Sequence, residues 1–414
     1  MRLEIFRSSI LRLITAGTIT GIMFFPSLTK AQGQQALHAQ RQDNDNVYTQ
    51  VNLVSNGYVP AKVMDSNLVN PWGMTAGPMT PPWISNQVTN TSTIDPVSVV
   101  ESGGSARLTV SIPTVPGGPN GPTGIAYNLD LTSGGFGIRA PSGMMSTVPA
   151  IFLFADLNGT LLGWNPASSG GLKSAVIAVN NHDTHAVYTG LAMAMVGSDV
   201  NLYAADFSPS GGIQVFNSSW GAATNLATDA FHDPMLPKLP ASEVWAPYNI
   251  ANLDGKMYVA YDAQPATGGL PITHMGLGVI GVFTTDGKFI RNLQIDPGRR
   301  DMDDDQGRDG RALGMAGQLD APWGMAMAPA KFGRFSNDLL VGNFGNGEIL
   351  AFRPDGRFAG TLRGTNHFPL KNGFLWALWF GNGVDGADPN TLYITTGGSN
   401  EFADGLFAAI TPAR

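Results

Sequence analysis

Five oxygen-bearing side chains, each directly after an apolar run, are the residues of this sequence best suited to bind a metal ion. They are Asn86, Asp156, Asp206, Asp262 and Asn343. Carboxylate and amide oxygens are the ligands that Ca²⁺ prefers, at roughly six to eight per ion. The pattern therefore makes these residues candidate calcium ligands. The alternative is structural, because an Asp or Asn at the end of a strand also accepts hydrogen bonds from backbone N–H groups of the following turn.

Four aromatic side chains open other apolar runs, and their rings are able to stack on a sugar or an organic ligand. They are Trp72, Tyr248, Trp323 and Trp376. We expect them at the mouth of a channel, where they form a candidate ligand-binding surface. The alternative is that these rings fill the core between repeated units of the fold.

Two other clusters imitate metal sites without matching them. Four aspartates within residues 301–309 follow the spacing of a calcium loop, but Gln306 and Ala312 stand where an EF-hand has Gly and Glu. His182 and His185 lie in a polar loop without the helical spacing of a zinc pair. We interpret both clusters as surface loops. The chain also has no cysteine and no Gly-x-Ser-x-Gly motif, so the sequence assigns no catalytic residue.

The candidate residues belong to a repeated unit. Its first run begins with an aromatic residue or threonine followed by a small residue, at intervals of 51 to 75 residues. The second positions of this motif are Trp72, Thr123, Thr189, Tyr248, Trp323 and Trp376. A second apolar run, an alternating third run and, in two units, an Asp-Gly hairpin signal follow. Each unit is therefore predicted to fold as a four-stranded antiparallel meander, which is the unit of a propeller blade.

Six such units predict an all-β, six-bladed β-propeller. The first strand of each blade should be innermost, so strand-one starts and strand-two ends meet at one mouth of the channel. The sixth unit lacks a fourth strand, and residues 47–54 form an orphan strand near the N-terminus. We expect this strand to complete the last blade and close the ring; the alternative is an independent extension. Residues 47–414 are then a single propeller domain.

The first 31 residues have the layout of a secretory signal peptide. Three arginines precede a low-polarity run over residues 13–25, and a small-residue site ends at Ala31. Residues 32–46 read as a flexible segment. We expect a secreted or periplasmic protein with no membrane span in the mature chain; the alternative is an uncleaved N-terminal anchor.

Charge and composition limit the partners. Without the leader the chain has 20 basic and 30 acidic side chains, a net charge of −10, with no concentrated basic patch. A polyanion would be repelled, so we expect no nucleic-acid partner. Hydrophobic residues make up 43% of the chain, which is typical of a folded domain. We expect a monomer that binds an unidentified small molecule or protein.

The blade pattern resembles NHL repeats, best over residues 321–362. Nearly the whole mature chain is similar to an uncharacterised bacterial family of exported propeller proteins, on residues 67–73, 339–345 and 375–378. Some members end in a PEP-CTERM sorting tail, which this sequence lacks where it stops at Arg414. The resemblance implies a propeller and export, and it brings no established activity.

The sequence favours a binding or scaffold propeller that acts outside the cytoplasm. The alternative is a calcium-dependent hydrolase or lactonase, in which a metal in the channel polarises an ester carbonyl and a carboxylate acts as base. A third possible function is that of a sugar- or quinone-linked oxidoreductase, but the sequence contains no motif specific for such a cofactor. Fold alone does not choose among them, because propellers host many unrelated functions.

Overall fold

The computed structural model describes residues 46–104, 108–142, 146–294, 318–400 and 402–413. These residues fall within one unit of the chain, residues 44–414. The predicted leader, nearly all of the 32–46 segment and the acidic loop at 301–309 lie outside the described residues. In the described part of the chain, no helix is long and apolar enough to cross a membrane.

The secondary structure is almost entirely β. The strands up to residue 164 are β1 (Val47–Ser55), β2 (Val63–Met64), β3 (Pro71–Thr75), β4 (Trp83–Asn86), β5 (Thr91–Ile94), β6 (Leu108–Ser111), β7 (Pro122–Tyr127), β8 (Gly137–Arg139), β9 (Thr147–Pro149), β10 (Phe152–Asp156) and β11 (Thr160–Trp164). The next are β12 (Val176–Asn180), β13 (Tyr188–Val196), β14 (Asp199–Asp206), β15 (Ile213–Asn217), β16 (Glu243–Leu253), β17 (Lys256–Pro265), β18 (Gly278–Phe283) and β19 (Phe289–Asn292). The last are β20 (Pro322–Met327), β21 (Leu339–Asn343), β22 (Ile349–Phe352), β23 (Phe358–Thr361), β24 (Arg363–Gly364), β25 (Leu375–Phe380), β26 (Leu392–Thr396) and β27 (Leu406–Pro412). One short helix, α1 (Val97–Glu101), and 3-10 turns at Gly171–Lys173, His182–Thr184 and Gly333–Phe335 complete the described elements.

The strands form six blades, which confirms the predicted six-bladed β-propeller. Four blades are the four-stranded sheets β3-β4-β5-β6, β7-β10-β11-β12, β16-β17-β18-β19 and β20-β21-β22-β23. Blade 3 has only β13-β14-β15, and blade 6 has β25-β26-β27. Blade 3 differs from the prediction because the segment after β15 carries Pro234, Pro237 and Pro240. Proline has no N–H to donate to a neighbouring strand.

The N-terminal strand closes the ring as predicted. β1 runs antiparallel to β27, with Tyr48 opposite Pro412 and Ser55 opposite Leu406. The Tyr48 hydroxyl donates a hydrogen bond to the Phe332 carbonyl of blade 5 at 3.1 Å. Closure covers the free edge of β27, which would otherwise present unpaired backbone groups.

The core lies between the blades and on the channel axis, in six clusters of buried apolar residues within the described chain. Strand β17 shows how one strand serves two clusters. Met257 and Val259 face blade 3, whereas Tyr258 and Ala260 face blade 5. Successive side chains of a strand point to opposite faces, so a blade buried on both sides needs a continuous apolar run. This is the physical reason for the runs in the sequence.

The small residue of the repeated motif lets the innermost strands converge near the axis. A Cβ on Gly73 would lie 2.5 Å from the Thr123 carbonyl oxygen, and one on Gly124 would lie 2.4 Å from the Leu191 nitrogen. Neither position has space for a side chain. The glycines therefore bring the first strands of neighbouring blades into backbone contact around the channel.

Candidate functional site

One end of the channel is closed by a cluster of rings, which we call the aromatic plug: Trp72, Tyr248, Trp323, Phe344 and Trp376. The Trp72 and Trp376 rings stack with centroids 3.7 Å apart, and Trp323 meets Trp72 edge-on at 6.1 Å. Phe344 lies 4.5 Å from Trp376. All five residues are buried. The structure thus brings the four predicted aromatic residues together, with their faces covered by one another.

Hydrogen bonds across the channel hold the aromatic plug in place. Trp323 Nε1 donates to the Thr189 carbonyl oxygen of blade 3 at 3.1 Å, and Trp376 Nε1 donates to Asn70 Oδ1 at 2.8 Å. Trp72 Nε1 is buried without a partner among the described residues. The indole of Trp323 therefore links blade 5 to blade 3 through the centre of the molecule.

Two of the five candidate calcium ligands accept hydrogen bonds from backbone N–H groups, one from their own turn and one from the segment just before the first strand of the blade. Asp156 Oδ1 accepts hydrogen bonds from the N–H groups of Gly121 and Asn158 at 3.1 and 3.0 Å. Asp206 Oδ1 accepts two such bonds at 2.9 and 3.0 Å. Burial nevertheless raises the pKa of Asp156 to about 6. These contacts match the structural alternative for both residues.

The other three candidates differ from one another. Asn86 Nδ2 donates to the Thr93 hydroxyl, and Asn343 Nδ2 donates to the Gln318 carbonyl oxygen. Asp262 is fully buried, and neither of its carboxylate oxygens has a partner among the described residues. Across the described ranges, no group of three or more His, Cys, Asp or Glu side chains is arranged to hold a metal. The metal role of the five residues stays a prediction.

The opposite end of the channel opens into a cavity of about 520 Å³, which we call the axial cavity. Every innermost strand contributes a large apolar side chain to its wall: Met74, Ile125, Met193, Ile250, Met325 and Leu378. Trp323 also borders the cavity, so the aromatic plug forms its floor. The six strands of the ring therefore build one concave site on the axis.

The wall of the axial cavity combines large apolar side chains with about as much polar surface, to which the backbone and a few amides contribute. Among the described residues that line it, none is acidic, basic or histidine. Asn252 Nδ2 donates to the Met193 carbonyl oxygen at 2.9 Å, and Asn249 Nδ2 donates to the Trp323 carbonyl oxygen at 2.7 Å. These bonds fix the amide orientations. Such a wall is able to bind and orient an uncharged molecule, and it offers no carboxylate or imidazole for proton transfer.

Exposed apolar side chains stand beside the open end of the axial cavity. Leu129 borders the cavity and is 52% exposed, while Met195, two residues after the cavity residue Met193, is 53% exposed. Met79, next to the cavity residue Pro78, is 84% exposed. The apolar surface thus continues from the wall onto the rim.

The sequence analysis placed the candidate site at the other mouth and missed the axial cavity. A signal was present, because the residue two positions after the motif's aromatic or threonine is large and apolar in every repeat. These residues are Met74, Ile125, Leu191, Ile250, Met325 and Leu378. All six line the cavity.

Fold and cavity define a six-bladed β-propeller with an axial site that no charged side chain of the described residues lines. The chain belongs to the family of the uncharacterised protein R648 of Acanthamoeba polyphaga mimivirus, to which it is 30% identical over 322 residues, covering 77% of this chain and 70% of R648. The uncharacterised protein L690 of the same virus is 29% identical over 327 residues, covering 77% of this chain and 75% of L690. No family model matches the chain. These relatives are viral, and the likeness to NHL repeats and to a bacterial exported family stays a prediction.

Similar solved structures include enzymes of several kinds. Virginiamycin B lyase from Staphylococcus aureus is 12% identical, with a TM-score of 0.40, over 88% of this chain and 98% of that one. The PQQ-bound aldose sugar dehydrogenase from Streptomyces coelicolor is 13% identical, with a TM-score of 0.43, and covers 88% of this chain and 98% of its own. The alpha-L-arabinanase from Penicillium chrysogenum is 10% identical, with a TM-score of 0.48, and the same two coverages of 88% and 98%. Likenesses this distant carry no statement about the activity of this chain.

Proposed function

We propose that the protein is an exported binding propeller that holds a small, uncharged, largely apolar molecule in the axial cavity. The observation that carries the proposal is the cavity itself, about 520 Å³ in volume and walled by all six innermost strands. Ligand sites in proteins typically have volumes of about 300 to 1,000 Å³ and mostly apolar walls with a few polar groups. The axial cavity has a volume in this range, and its wall carries six large apolar side chains beside its polar groups.

The wall residues set the chemistry of the ligand. Met74, Met193 and Met325 supply flexible, polarisable side chains that adapt to an irregular apolar shape. A charged ligand would lose its hydration without gaining an ion pair, because no charged side chain lines the cavity. The Asn252 amide, oriented by its bond to the Met193 carbonyl, offers Oδ1 as an acceptor for a single hydroxyl or amine. A flat or aliphatic molecule with one or two polar groups fits this wall.

The described residues of the cavity wall include no carboxylate and no imidazole, which favours binding over the calcium-dependent hydrolase alternative. Hydrolysis needs a base within hydrogen-bond reach of the attacking water. Export rests on the leader over residues 1–31, and it places the ligand outside the cytoplasm. We propose that the protein acts there as a monomer.

Filling the axial cavity tests this function. Titration with Nile red, an uncharged fluorescent dye, should give saturable binding to the wild-type protein. Met193→Trp adds a bulky indole to the cavity wall, so dye affinity should fall at least about tenfold, which is about 1.4 kcal/mol. Met64→Trp is the matched control, because Met64 is 71% exposed on β2 and does not line the cavity. Equal dye affinity in the two variants, or no saturable binding to the wild type, would refute the proposal.

A further inference from the structure

The outer edge of blade 3 is only partly covered. In the described chain β15 is its outermost strand, whereas each of the other five blades has a fourth strand. The segment after β15 covers the second half of this edge, where the Ala223 N–H donates to the Val215 carbonyl oxygen at 2.9 Å. The Asn217 N–H also donates to the Gly221 carbonyl oxygen, at 2.8 Å. On this side, no described strand pairs with the beginning of β15.

Backbone groups at the beginning of β15 point away from the blade. The Gly212 carbonyl oxygen faces β14, because it accepts a hydrogen bond from the Asp206 N–H of that strand at 3.0 Å. Backbone groups alternate between the two sides of a strand, so those of Ile213 and Val215 face outward. The N–H and C=O of Ile213 and the N–H of Val215 have no hydrogen-bond partner among the described residues. We call these three groups the open edge.

A cavity of about 450 Å³ lies against the open edge, and we call it the edge cavity. Gly212 and Ile213 form one wall, and residues 229–232 form the other. Asp229 and Phe231 have left-handed backbone conformations, with φ of 56° and 61°. Residues of an extended strand have negative φ, so this segment does not run along β15 as a fourth strand.

Blade 4 holds the second wall of the edge cavity in place. The Phe231 N–H donates to the Gly287 carbonyl oxygen at 2.8 Å, and the Tyr261 hydroxyl donates to the Phe231 carbonyl oxygen at 3.0 Å. The Phe231 ring also packs edge-on against Tyr203 of β14, with ring centroids 5.7 Å apart. The wall is therefore anchored on blades 3 and 4, and it does not cover the open edge.

The edge cavity joins an apolar surface to an acidic one. Ile213, Ala230 and Phe231 contribute apolar side chains. Asp229 is exposed, and its carboxylate forms no hydrogen bond or salt bridge with the described residues. Of the other described residues that line the cavity, only His232 is titratable, and none is lysine or arginine. A segment with a basic side chain beside an apolar one therefore complements this surface.

We propose that the open edge binds an extended segment of a partner protein, with alternating apolar and basic side chains, as the fourth strand of blade 3. Another polypeptide offers N–H and C=O groups at the spacing of a strand, so its main chain provides the hydrogen bonds and the edge cavity selects its side chains. A second copy of this chain is a poorer occupant, because it would bring one acidic edge against another. No residue of the open edge or the edge cavity lines the axial cavity, so the inference goes beyond the proposed ligand-binding function.

A fluorescein-labelled peptide of alternating valine and lysine is the probe for the open edge. Its fluorescence anisotropy should rise saturably on titration with the full-length protein. The same peptide with every backbone nitrogen methylated keeps its side chains and charge but has no N–H to donate. Its affinity should be at least about tenfold lower, because the hydrogen bond to the Ile213 carbonyl oxygen is lost.

Two substitutions at the first residue of β15 separate the backbone from the side chain. Ile213→Pro removes the outward N–H at a position where a strand tolerates proline. Ile213→Val is the matched control, because it trims the side chain and keeps the N–H. Peptide affinity should fall at least about tenfold in the proline variant and stay near the wild-type value in the valine variant. Circular dichroism should show the same β-sheet content in both, since the lost N–H has no partner among the described residues.

A charge test leaves the strand unchanged. Asp229→Asn removes the exposed carboxylate of the edge cavity, so affinity for the peptide should fall roughly twofold to fivefold, as for an exposed ion pair. Asp254→Asn is the matched control, because Asp254 is also exposed and left-handed, with φ of 51°, but lies in the turn between β16 and β17. It should leave the affinity unchanged.

Four results would overturn the proposal. The wild-type protein would show no saturable binding of the peptide, or it would bind the methylated peptide equally well, which would reduce the attraction to charge alone. The proline and valine variants would bind the peptide with equal affinity. Sedimentation would show a wild-type dimer that Ile213→Pro converts to monomers, which would mean that a second copy of the chain covers the open edge.

Discussion

At the scale of single residues, the aromatic plug contains two tryptophans with similar surroundings and different hydrogen bonding. Trp72 and Trp323 are both buried and lie 6.1 Å apart. Trp323 Nε1 satisfies the Thr189 carbonyl oxygen across the channel, whereas Trp72 Nε1 is a buried donor without a partner among the described residues. A buried polar group left unpaired destabilises the fold, so the two indoles should respond differently to the same substitution.

Replacing each of these tryptophans by phenylalanine tests that difference. Trp323→Phe removes buried ring volume and leaves the Thr189 carbonyl without its donor, so we expect a loss of about 2 to 4 kcal/mol in unfolding free energy. Trp72→Phe removes similar volume together with an unsatisfied donor, and it should cost at least about 1 kcal/mol less. Urea unfolding followed by circular dichroism measures both. Equal losses would mean that the cross-channel hydrogen bond contributes nothing.

At the scale of elements, the repeated motif predicted the blades because strand pairing and two-sided burial depend on local residue patterns. The closure of β1 on β27 followed from counting strands. The absence of a fourth strand in blade 3 was not predicted. The segment with prolines at 234, 237 and 240 does not resemble the other repeated units, so the repeat gave no information about it. The repeat does contain the large apolar residues that line the axial cavity, but it does not show which end of the channel is open. Which mouth the rings close depends on how side chains from six strands meet on the axis.

The closing strand gives a prediction that separates its two faces. Tyr48 is 1% exposed, stacks on Phe335 at 6.2 Å and contacts Phe332, whereas Val51 is 41% exposed on the same strand. Tyr48→Ala should cost about 3 to 5 kcal/mol, because it leaves a large cavity between β1 and blade 5. Val51→Ala should change stability by no more than about 0.5 kcal/mol. Denaturant midpoints measure both. A Tyr48→Ala midpoint like that of Val51→Ala would show that β1 does not hold the ring closed.

At the scale of the whole molecule, the ring is stabilised by six apolar interfaces within the described residues and by no disulfide, since the chain lacks cysteine. Buried acids are set into this apolar ring. Burial raises the pKa of Asp95 to about 7, with the charge of Asp65 adding to the effect, and burial raises those of Asp156 and Asp320 to about 6. The folded protein therefore binds protons that the unfolded chain has already released, and its stability is linked to pH.

The sign of that linkage is opposite to ordinary acid denaturation. Stability from these groups is present below the unfolded carboxyl pKa and is lost as pH rises toward about 7.

In EDTA, the melting temperature should therefore rise as the pH of the buffer is lowered from about 7.5 to about 5.5. Asp95 contributes most at the upper end, at no more than about 1.4 kcal/mol per pH unit. Asp95→Asn should flatten the curve above about pH 6, and calorimetry across this range measures the slope. The Val51→Ala protein is the control: the exposed Val51 carries no titratable group, so the wild-type slope should remain. A wild-type melting temperature that falls steadily over the same acid range would show that these carboxyls are ionised in the folded ring.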